Sequence, residues 1–587
     1  MENQTQKNNQ HPINVSSEIG TLERVLIHSP DGGIGNVPTS KIHDWLYDDI
    51  IDLEKMQKEH TFFAKTLLLF LDPDKLFIDG KFSPDAVKYN PEKSDYFGNE
   101  NIDESKVLDT QYCLAFIFSE KEVATRELIS SISDIEGIHI NRKRDIYKLY
   151  ETAILEREMA LAEKREFIIG ESKFMELAKT LITGKLEFEY ESGELRKLKT
   201  EEEAIFIFPP IANFIFTRDI GVSIKDHIFI TKPRYSIRKR EVILLRFLAE
   251  NYFLADAPEN IIEIAEDDGY FYIEDNLPLK EEKRVSFEGG DIMMISEDHI
   301  LIGCSERTSP YAIHKFIHRV FSEQLAKIVS VIKISEKRSQ MHIDTVLSHV
   351  KKDVWVMFGQ LSERWQRSQK KKESYSFEFA DEIREKSIEN VEQEKPVSIK
   401  QFYCGGDYDK KKNYLIFSEK EIEIFIEKGE ITKEYGETLQ TYKKLSSEKF
   451  NYTKPEGLED LLRQISVNDF GVADKETVRV AYSGGGVFPD DEREQWTDSC
   501  NLLVVREGIA IGYDRNRKTS KTFQEKLGFN VIHSKQMVEG LKGRSKEEVA
   551  DFINDLKDTI ILLPSNELSR ARGGSHCMSM PLRRKNI

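Results

Sequence analysis

The chain has 587 residues, enough for a well-buried core and for two to four domains or one elaborated domain. With 103 acidic side chains against 85 Lys and Arg its formal charge is -18, which argues against a nucleic-acid or anionic-membrane partner and mildly favours a cationic ligand. Five cysteines, Cys113, Cys304, Cys404, Cys500 and Cys577, stand singly, unlike a disulfide scaffold or a metal knuckle, and no run is apolar enough for a signal peptide or a membrane span, so a reduced, cytoplasmic protein is expected.

Residues 21–28 read as a strand that ends at the turn Ser29-Pro30-Asp31-Gly32-Gly33. A helix follows, with Ile50, Leu53, Met56, His60 and Phe63 on one face; Asp48 and Asp49 before it either cap the helix or meet a ligand. From 105 to 200 the pattern is helical throughout. Short β-rich segments return at 204–208, 221–231, 285–287, 292–295 and 300–302, separated by helical stretches at 240–251 and 311–328. This alternation favours an α/β architecture built from repeated units. Residues 364–399 are dense in Lys and Glu, the composition of a solvated insertion, although apolar positions return at 414–417, 422–425 and 458–465. Strands at 478–482, 501–505 and 509–513, a helix at 519–527, and strands at 530–532 and 559–563 lead to the C-terminus. The division expected is 1–104, 204–360 and 470–587 as three parts of one catalytic unit, 105–203 as an inserted helical domain, and 361–469 as a charged accessory insertion.

The tail reads Arg572-Gly573-Gly574-Ser575-His576-Cys577-Met578-Ser579-Met580-Pro581-Leu582. A chain end is normally expendable, so a motif this particular suggests a tail that folds back into a site. A lone cysteine is most often buried filler, but paired glycines let a backbone pass close to a ligand, and a nearby His or Arg would lower the thiol pKa from about 8.5. His342 and Asp344 lie two residues apart and would share one face if that segment is extended; a hydrogen-bonded edge histidine with a turn acid is the structural alternative. Glu288 and Asp291 bracket Gly289-Gly290, so that one carboxylate is placed to orient His342 and the other to tie down the loop or face a substrate. No cysteine or histidine cluster has transition-metal spacing, and no metal is expected.

In Asn213-Phe214-Ile215-Phe216-Thr217-Arg218-Asp219, Phe216 offers a flat apolar surface and Asp219 a charge. Asp219 and Asp344 together match the fixed fork of a guanidinium, whose parallel N–H groups donate in pairs to carboxylate oxygens. The chemistry this set points to is covalent: Cys577 attacks the guanidinium carbon, His342 protonates the departing nitrogen, and His342 then activates water against the thiouronium. An amino-acid head would need its carboxylate held, for which Arg307, Arg572 and one of Arg234, Arg238 or Arg240 are candidates by type.

These residues resemble arginine deiminase, of the guanidino-group-modifying superfamily. The matching stretches include Ser17-Glu18-Ile19-Gly20, Tyr47-Asp48-Asp49-Ile50, Glu59-His60, 213–219, 287–291, Ser305-Glu306-Arg307-Thr308, 341–346, Arg493-Glu494-Gln495-Trp496, Tyr513-Asp514-Arg515-Asn516, Glu567-Leu568-Ser569-Arg570 and 572–582, in the order the family has them. The resemblance implies a five-bladed α/β propeller (pentein) with an inserted helical domain and an additional charged insertion. It also implies hydrolysis of free L-arginine to L-citrulline and ammonia without cofactor or metal. It assigns the nucleophile to Cys577, the acid and base to His342, its orientation to Glu288, guanidinium binding to Asp219 and Asp344, and carboxylate contacts to Asn213, Arg307, Arg572 and an arginine near Arg238. The chain departs from the family in its length and at Thr497-Asp498-Ser499-Cys500-Asn501, where a more acidic, glycine-containing version is usual. An amidinotransferase, a hydrolase of methylated or peptidyl arginine, and a non-catalytic binding or regulatory protein are the alternatives, and oligomeric state stays open.

Overall fold

Aliphatic and β-branched runs three to six residues long, bounded by turn residues, pair into five sheets of three or four strands, beside three two-stranded ribbons among the described residues. The computed structural model describes residues 12–37, 39–87, 102–186, 188–191, 194–197, 205–264, 285–373, 397–403 and 452–587. The second sheet holds Gly221–Ile224, His227–Ile230 and Ile261–Glu263; the third Ile292–Ser296, His299–Cys304, Ile328–Lys333 and Ser398–Tyr403. The fourth holds Leu347–Lys351, Val354–Met357 and Arg479–Tyr482; the fifth Leu503–Arg506, Ile509–Tyr513, Thr559–Leu563 and Asn530–His533. In each, an antiparallel hairpin is followed by helix and then by a strand parallel to the hairpin's second strand. The first sheet has the same plan with its hairpin built from the two ends of the chain: Met580–Arg584 runs antiparallel to Leu22–Ile27, which is parallel to Val107–Asp109.

Successive side chains of a strand point to opposite faces, so a sheet covered on both sides feeds two cores. Ile292 and Met294 pack with Val222 and Phe229 of the second sheet, while Met293 and Ile295 pack with Leu347 and Trp355 of the fourth. Val350 and Val356 of the fourth sheet meet Val504 and Ile560 of the fifth. Leu503 and Ile511 of the fifth meet Val25 and Ile27 of the first, whose Leu26 turns the other way to Ile228 and Ile230 of the second. Each sheet therefore shares one core with its predecessor and another with its successor, and the fifth shares one with the first.

The helices Thr110–Glu120, Glu122–Ile135, Ile140–Ala162 and Lys173–Thr183 join the core between the first and second sheets through Leu114, Phe118, Leu149, Phe174 and Leu181. The uniform helix expected over 105–200 is interrupted: Val107–Asp109 is a strand of the first sheet, and Phe188–Glu191 pairs with Glu194–Lys197. The helix expected over 311–328 ends at Ser322, where Gln324 takes a left-handed φ of 55°, Leu325 and Ala326 tuck into the core, and Ile328 begins a strand. Of the expected segment 285–287, Phe287 alone is bridged, to Lys232. Within 361–469, Ser398–Tyr403 is the edge of the third sheet, and helix Leu458–Phe470 supplies Leu458, Leu461, Leu462 and Ile465 to the core between the third and fourth sheets. Cys404 and the segments 414–417 and 422–425 lie outside the described residues. Among the described residues no helix is long and apolar enough to cross a membrane.

The tail strand is a core element, with Met580 and Leu582 fully buried. Replacing Leu582 with Ala is expected to cost about 2–5 kcal/mol of unfolding free energy in a urea titration; a cost indistinguishable from zero would contradict this placement.

Candidate active site

The C-terminal segment reaches the site through a sequence of fixed contacts. Helix Leu53–Leu71, capped at its start by Asp52, presents the carboxylate of Glu59 to the chain before the tail, where it accepts the N–H groups of Asn566, Glu567 and Leu568 at 2.8, 2.9 and 2.9 Å. Arg572 follows with a left-handed φ of 65°, a strained conformation for a side chain of its size. The glycine pair is then required by close approach. A Cβ at Gly573 would stand 2.3 Å from the ring of Phe216, and one at Gly574 would stand 2.5 Å from the carbonyl oxygen of Asn501. Cys577 is buried, its N–H donating to Asn501 Oδ1 at 3.0 Å and its carbonyl accepting from Arg218 N–H at 3.1 Å, before the chain enters the first sheet.

Around the sulfur stand two carboxylates, each gripped by a cation on one oxygen. The Cys577 thiol donates to Asp344 Oδ2 at 3.4 Å, and the same oxygen is held by His576 Nδ1 at 2.9 Å. His576 reaches Glu18 through Nε2 at 3.2 Å, and Glu18 pairs with the guanidinium of Arg218. Asp219 Oδ2 accepts from Arg238 Nη1 at 2.6 Å, while its Oδ1 faces His342 Nδ1 at 3.7 Å. Asp219 Oδ1 and Asp344 Oδ1 are both buried and without a hydrogen-bond partner.

His342 donates from Nε2 to Glu288 Oε2 at 2.9 Å, and its ring lies on Gly290, where a Cβ would come within 2.6 Å of Nδ1. Asp291 accepts from Ser305 Oγ at 2.6 Å, Thr308 Oγ1 at 2.5 Å and Ile343 N–H at 2.9 Å, joining the Glu288 turn to the His342 segment. Of the two readings of 341–346, an extended run or a histidine with a turn acid, the extended run is not formed: His342 is extended but Ile343–Thr345 is a helical turn. Asp344 and His342 nonetheless face one neighbourhood, because Asp291 and the sheets fix that turn from outside it.

Charge explains the protonation states. Burial opposes ionisation of His342, but the carboxylates of Asp219 and Glu288 outweigh it and hold its pKa at about 10. Burial likewise opposes Glu288, which Arg307 and then His342 hold well below the usual carboxylate range. For Asp344, burial is outweighed by His576, and its pKa falls; for Asp219, burial wins over His342 and Arg238, and its pKa rises. Burial, then Asp344, Asp219 and Asp498, drive the Cys577 thiol far above its ordinary value. Asp498, which accepts from Gly573 N–H at 3.0 Å, is itself pushed up by burial to about 7.

The residues expected to hold a substrate carboxylate divide into two kinds. Arg238 is committed to the protein: Nε donates to Glu241 at 2.8 Å, Nη1 to Asp219, and Nη2 to the carbonyls of Asn213 and Phe216 at 3.1 and 3.2 Å. The Asn213 amide is likewise anchored, donating to the carbonyl of Trp45 at 3.0 Å. Arg572 stacks on Trp496, 3.4 Å from its centroid, and its Nε and Nη1 are buried without hydrogen-bond partners. Arg307 lies over Tyr235 at 4.6 Å, with Nε on Glu306 at 2.6 Å and Nη1 3.6 Å from Glu288. Among the described residues Asp219, Glu288 and His342 bring ligand atoms within 4.8 Å of one another, as a metal site would. They do not suit one, because the Arg238 guanidinium already sits on Asp219 and both His342 nitrogens are kept protonated.

Sequence reasoning missed Asn501, His576, Glu18, Arg218 and Asp498 as parts of this centre. His576 and Glu18 stood inside quoted motifs, and Asn501 ended the stretch that departs from the family. What they lacked was any local pattern, since their partners lie far away in the chain. Gln495 shows the same: it donates to the carbonyls of Ser339 at 2.6 Å and Thr345 at 3.1 Å, bracketing the His342 segment.

A buried thiol, a charged histidine and two half-satisfied carboxylates form the arrangement expected of guanidino-group-modifying enzymes, and comparison with known proteins places the chain in that class. A sequence model described as arginine deiminase matches residues 135–412 and 424–584. The chain belongs to the arginine deiminase family. The arginine deiminases of Streptococcus pneumoniae strains P1031 and JJA are each 24% identical over 585 residues, covering 98% of this chain and 99% of theirs. Among solved structures, an amidinotransferase from Microseira wollei in the saxitoxin biosynthetic pathway is 12% identical over 98% of both chains with a TM-score of 0.40, a likeness too slight to argue from.

His342 has a folded pKa held near 10, above its unfolded value of about 6.5. Its contribution to stability is complete below about pH 6.5 and is lost as pH rises through about 10. The wild type is therefore expected to lose stability across that window relative to His342→Asn, read as urea midpoints; parallel pH profiles would contradict the assignment.

Proposed function

We propose that the protein hydrolyses free L-arginine to L-citrulline and ammonia through an S-alkylthiouronium intermediate on Cys577. The observation that carries this reading is the pair of bare, buried oxygens, Asp219 Oδ1 and Asp344 Oδ1. Each belongs to a carboxylate whose other oxygen is fixed by a cation, so both are oriented, and a buried carboxylate oxygen without a donor is costly. A guanidinium supplies several N–H groups and the positive charge that two such oxygens call for.

The chemistry follows from the charges. Burial and the acids around Cys577 disfavour its anion in the free protein, and a substrate cation lodged between Asp219 and Asp344 offsets that field and lets the thiol release its proton to solvent. The sulfur attacks the guanidinium carbon. His342, already protonated and steadied by Glu288, gives its proton to the departing nitrogen, and ammonia leaves. Neutral His342 then takes a proton from water as the water attacks the thiouronium carbon, and collapse releases the ureido product and the thiol. Arg572, with free donors held against Trp496, and Arg307 supply positive charge for the carboxylate of a free amino acid. Arg238 acts on Asp219 instead, and Asn213 positions Arg238 through its carbonyl.

The same reading takes the five sheets as the blades of a closed five-bladed α/β propeller, with the helices between 110 and 183 as its insertion. Support comes from the five cores, each shared by neighbouring sheets and the last joining the fifth to the first.

Purified protein given L-arginine alone is expected to release citrulline and ammonia in equal amounts, and Cys577→Ser to lower turnover by about a thousandfold or more. Product that appears only when an amine is added, with that amine guanidinylated, would make the protein a transferase. Arg572→Ala is expected to raise KM for arginine by about tenfold or more while leaving turnover of agmatine, which has no carboxylate, little changed. Equal losses on both compounds would remove Arg572 from carboxylate recognition.

A further inference from the structure

The amide of Asn501, at the entry to strand Leu503–Arg506, encloses Cys577 from two sides. Its Oδ1 accepts the Cys577 N–H at 3.0 Å, and its Nδ2 donates to Cys577 Sγ at 3.1 Å and to the carbonyl of Asp344 at 3.1 Å. The orientation of the amide is determined chemically. Flipped, it would set its N–H groups against the Cys577 N–H and its oxygen against the sulfur. Asn501 is fully buried, and its contact with the tail exists because residue 574 is glycine: a Cβ there would lie 2.6 Å from Asn501 Oδ1 and 2.7 Å from its Cβ. Among the described residues, it is the side-chain donor within hydrogen-bond distance of this sulfur; the acids Asp344, Asp219 and Asp498 weigh on the sulfur, with His576 held on Asp344 Oδ2 and His342 facing Asp219 Oδ1.

We propose that Asn501 is a catalytic residue of this centre, whose amide N–H remains on the sulfur as Cys577 loses its proton and stabilises the anion that attacks the substrate. The inference rests on reading Cys577 as the nucleophile. A hydrogen bond to an ionised acceptor is stronger than one to the neutral form, so a donor already aimed at the sulfur favours the thiolate without rearrangement. The second N–H, on the Asp344 carbonyl, keeps the amide from turning away and joins the sulfur to the backbone that carries one of the bare carboxylate oxygens. The cluster thus offers the anion one fixed donor inside a ring of acids.

The test is the rate at which iodoacetamide labels Cys577, followed by peptide mass spectrometry across a pH series in the full-length protein. Asn501→Ala is compared with Asn501→Asp, which retains an acceptor for the Cys577 N–H and the size of the side chain but loses the donor to sulfur. The labelling profile of Asn501→Ala is expected to move to higher pH by about one unit, so that labelling below the midpoint falls about tenfold. Asn501→Asp, with an added negative charge, is expected to move further. With arginine, kcat at neutral pH should fall in both variants and recover toward high pH, with KM little changed. Profiles that overlay the wild type, or move to lower pH, would leave Asn501 a purely structural residue; a wild-type Cys577 that takes no label at any pH would also overturn the proposal. If Asn501→Ala does not fold, Asn501→Asp decides alone. Labelling needs no substrate, so failure of this inference is separable from failure of the wild type to hydrolyse arginine.

Discussion

The constraint on which this protein's centre depends is the neutralisation of buried carboxylates. Asp219, Asp344, Glu288, Asp291 and Glu18 are all withdrawn from water around one cysteine. An isolated carboxylate in such surroundings would take up a proton rather than stay charged. Here Arg218, Arg238, Arg307, His342 and His576 are interleaved with them, so that most of the charge is balanced pair by pair. Two oxygens, Asp219 Oδ1 and Asp344 Oδ1, are left without a hydrogen-bond donor, and in the function proposed above a cationic ligand supplies it. Burial, then the charges of Asp344, Asp219 and Asp498, make the Cys577 thiol a poor acid, and in the proposed reaction the charge of the substrate offsets those acids.

Holding so many like charges together requires a rigid frame, and the fold provides it by closing the chain on itself. The strand after Cys577 pairs with the strand near the N-terminus, and the core it enters is shared with neighbouring sheets. Glu59 fastens the chain just ahead of the tail, and the glycine pair lets that chain pass against Phe216 and Asn501. Strain at Arg572 is tolerated because contacts on both sides over-determine its position. Cys577 sits ten residues from an end, yet it is buried and tied by backbone hydrogen bonds to Asn501 and Arg218.

Much of this was legible in the residues. The alternation of short β segments and helices foretold an α/β architecture, and Asp219, Glu288, His342, Asp344 and Cys577 do meet. Local pattern failed where a feature depended on what lay opposite. The helix expected to run to 328 stopped at Ser322 because a left-handed residue and a waiting sheet edge intervened. The segment carrying His342 and Asp344 could be read locally as extended or as a turn, and it is a turn held by Asp291 and Gln495 from distant parts of the chain. Arg238 looked like a ligand contact by type, but its donors are consumed by Glu241, Asp219 and two carbonyls.

The sequence by itself determined the kinds of chemical group available and the family to which the chain belongs, since both reside in side-chain identity and in the order of short motifs. Tertiary structure alone decided which carboxylate oxygens stay bare, which arginines keep free donors, and that Asn501 lies against the sulfur. These are questions of distance and of competition among buried partners, and neither is encoded in any local stretch of the chain.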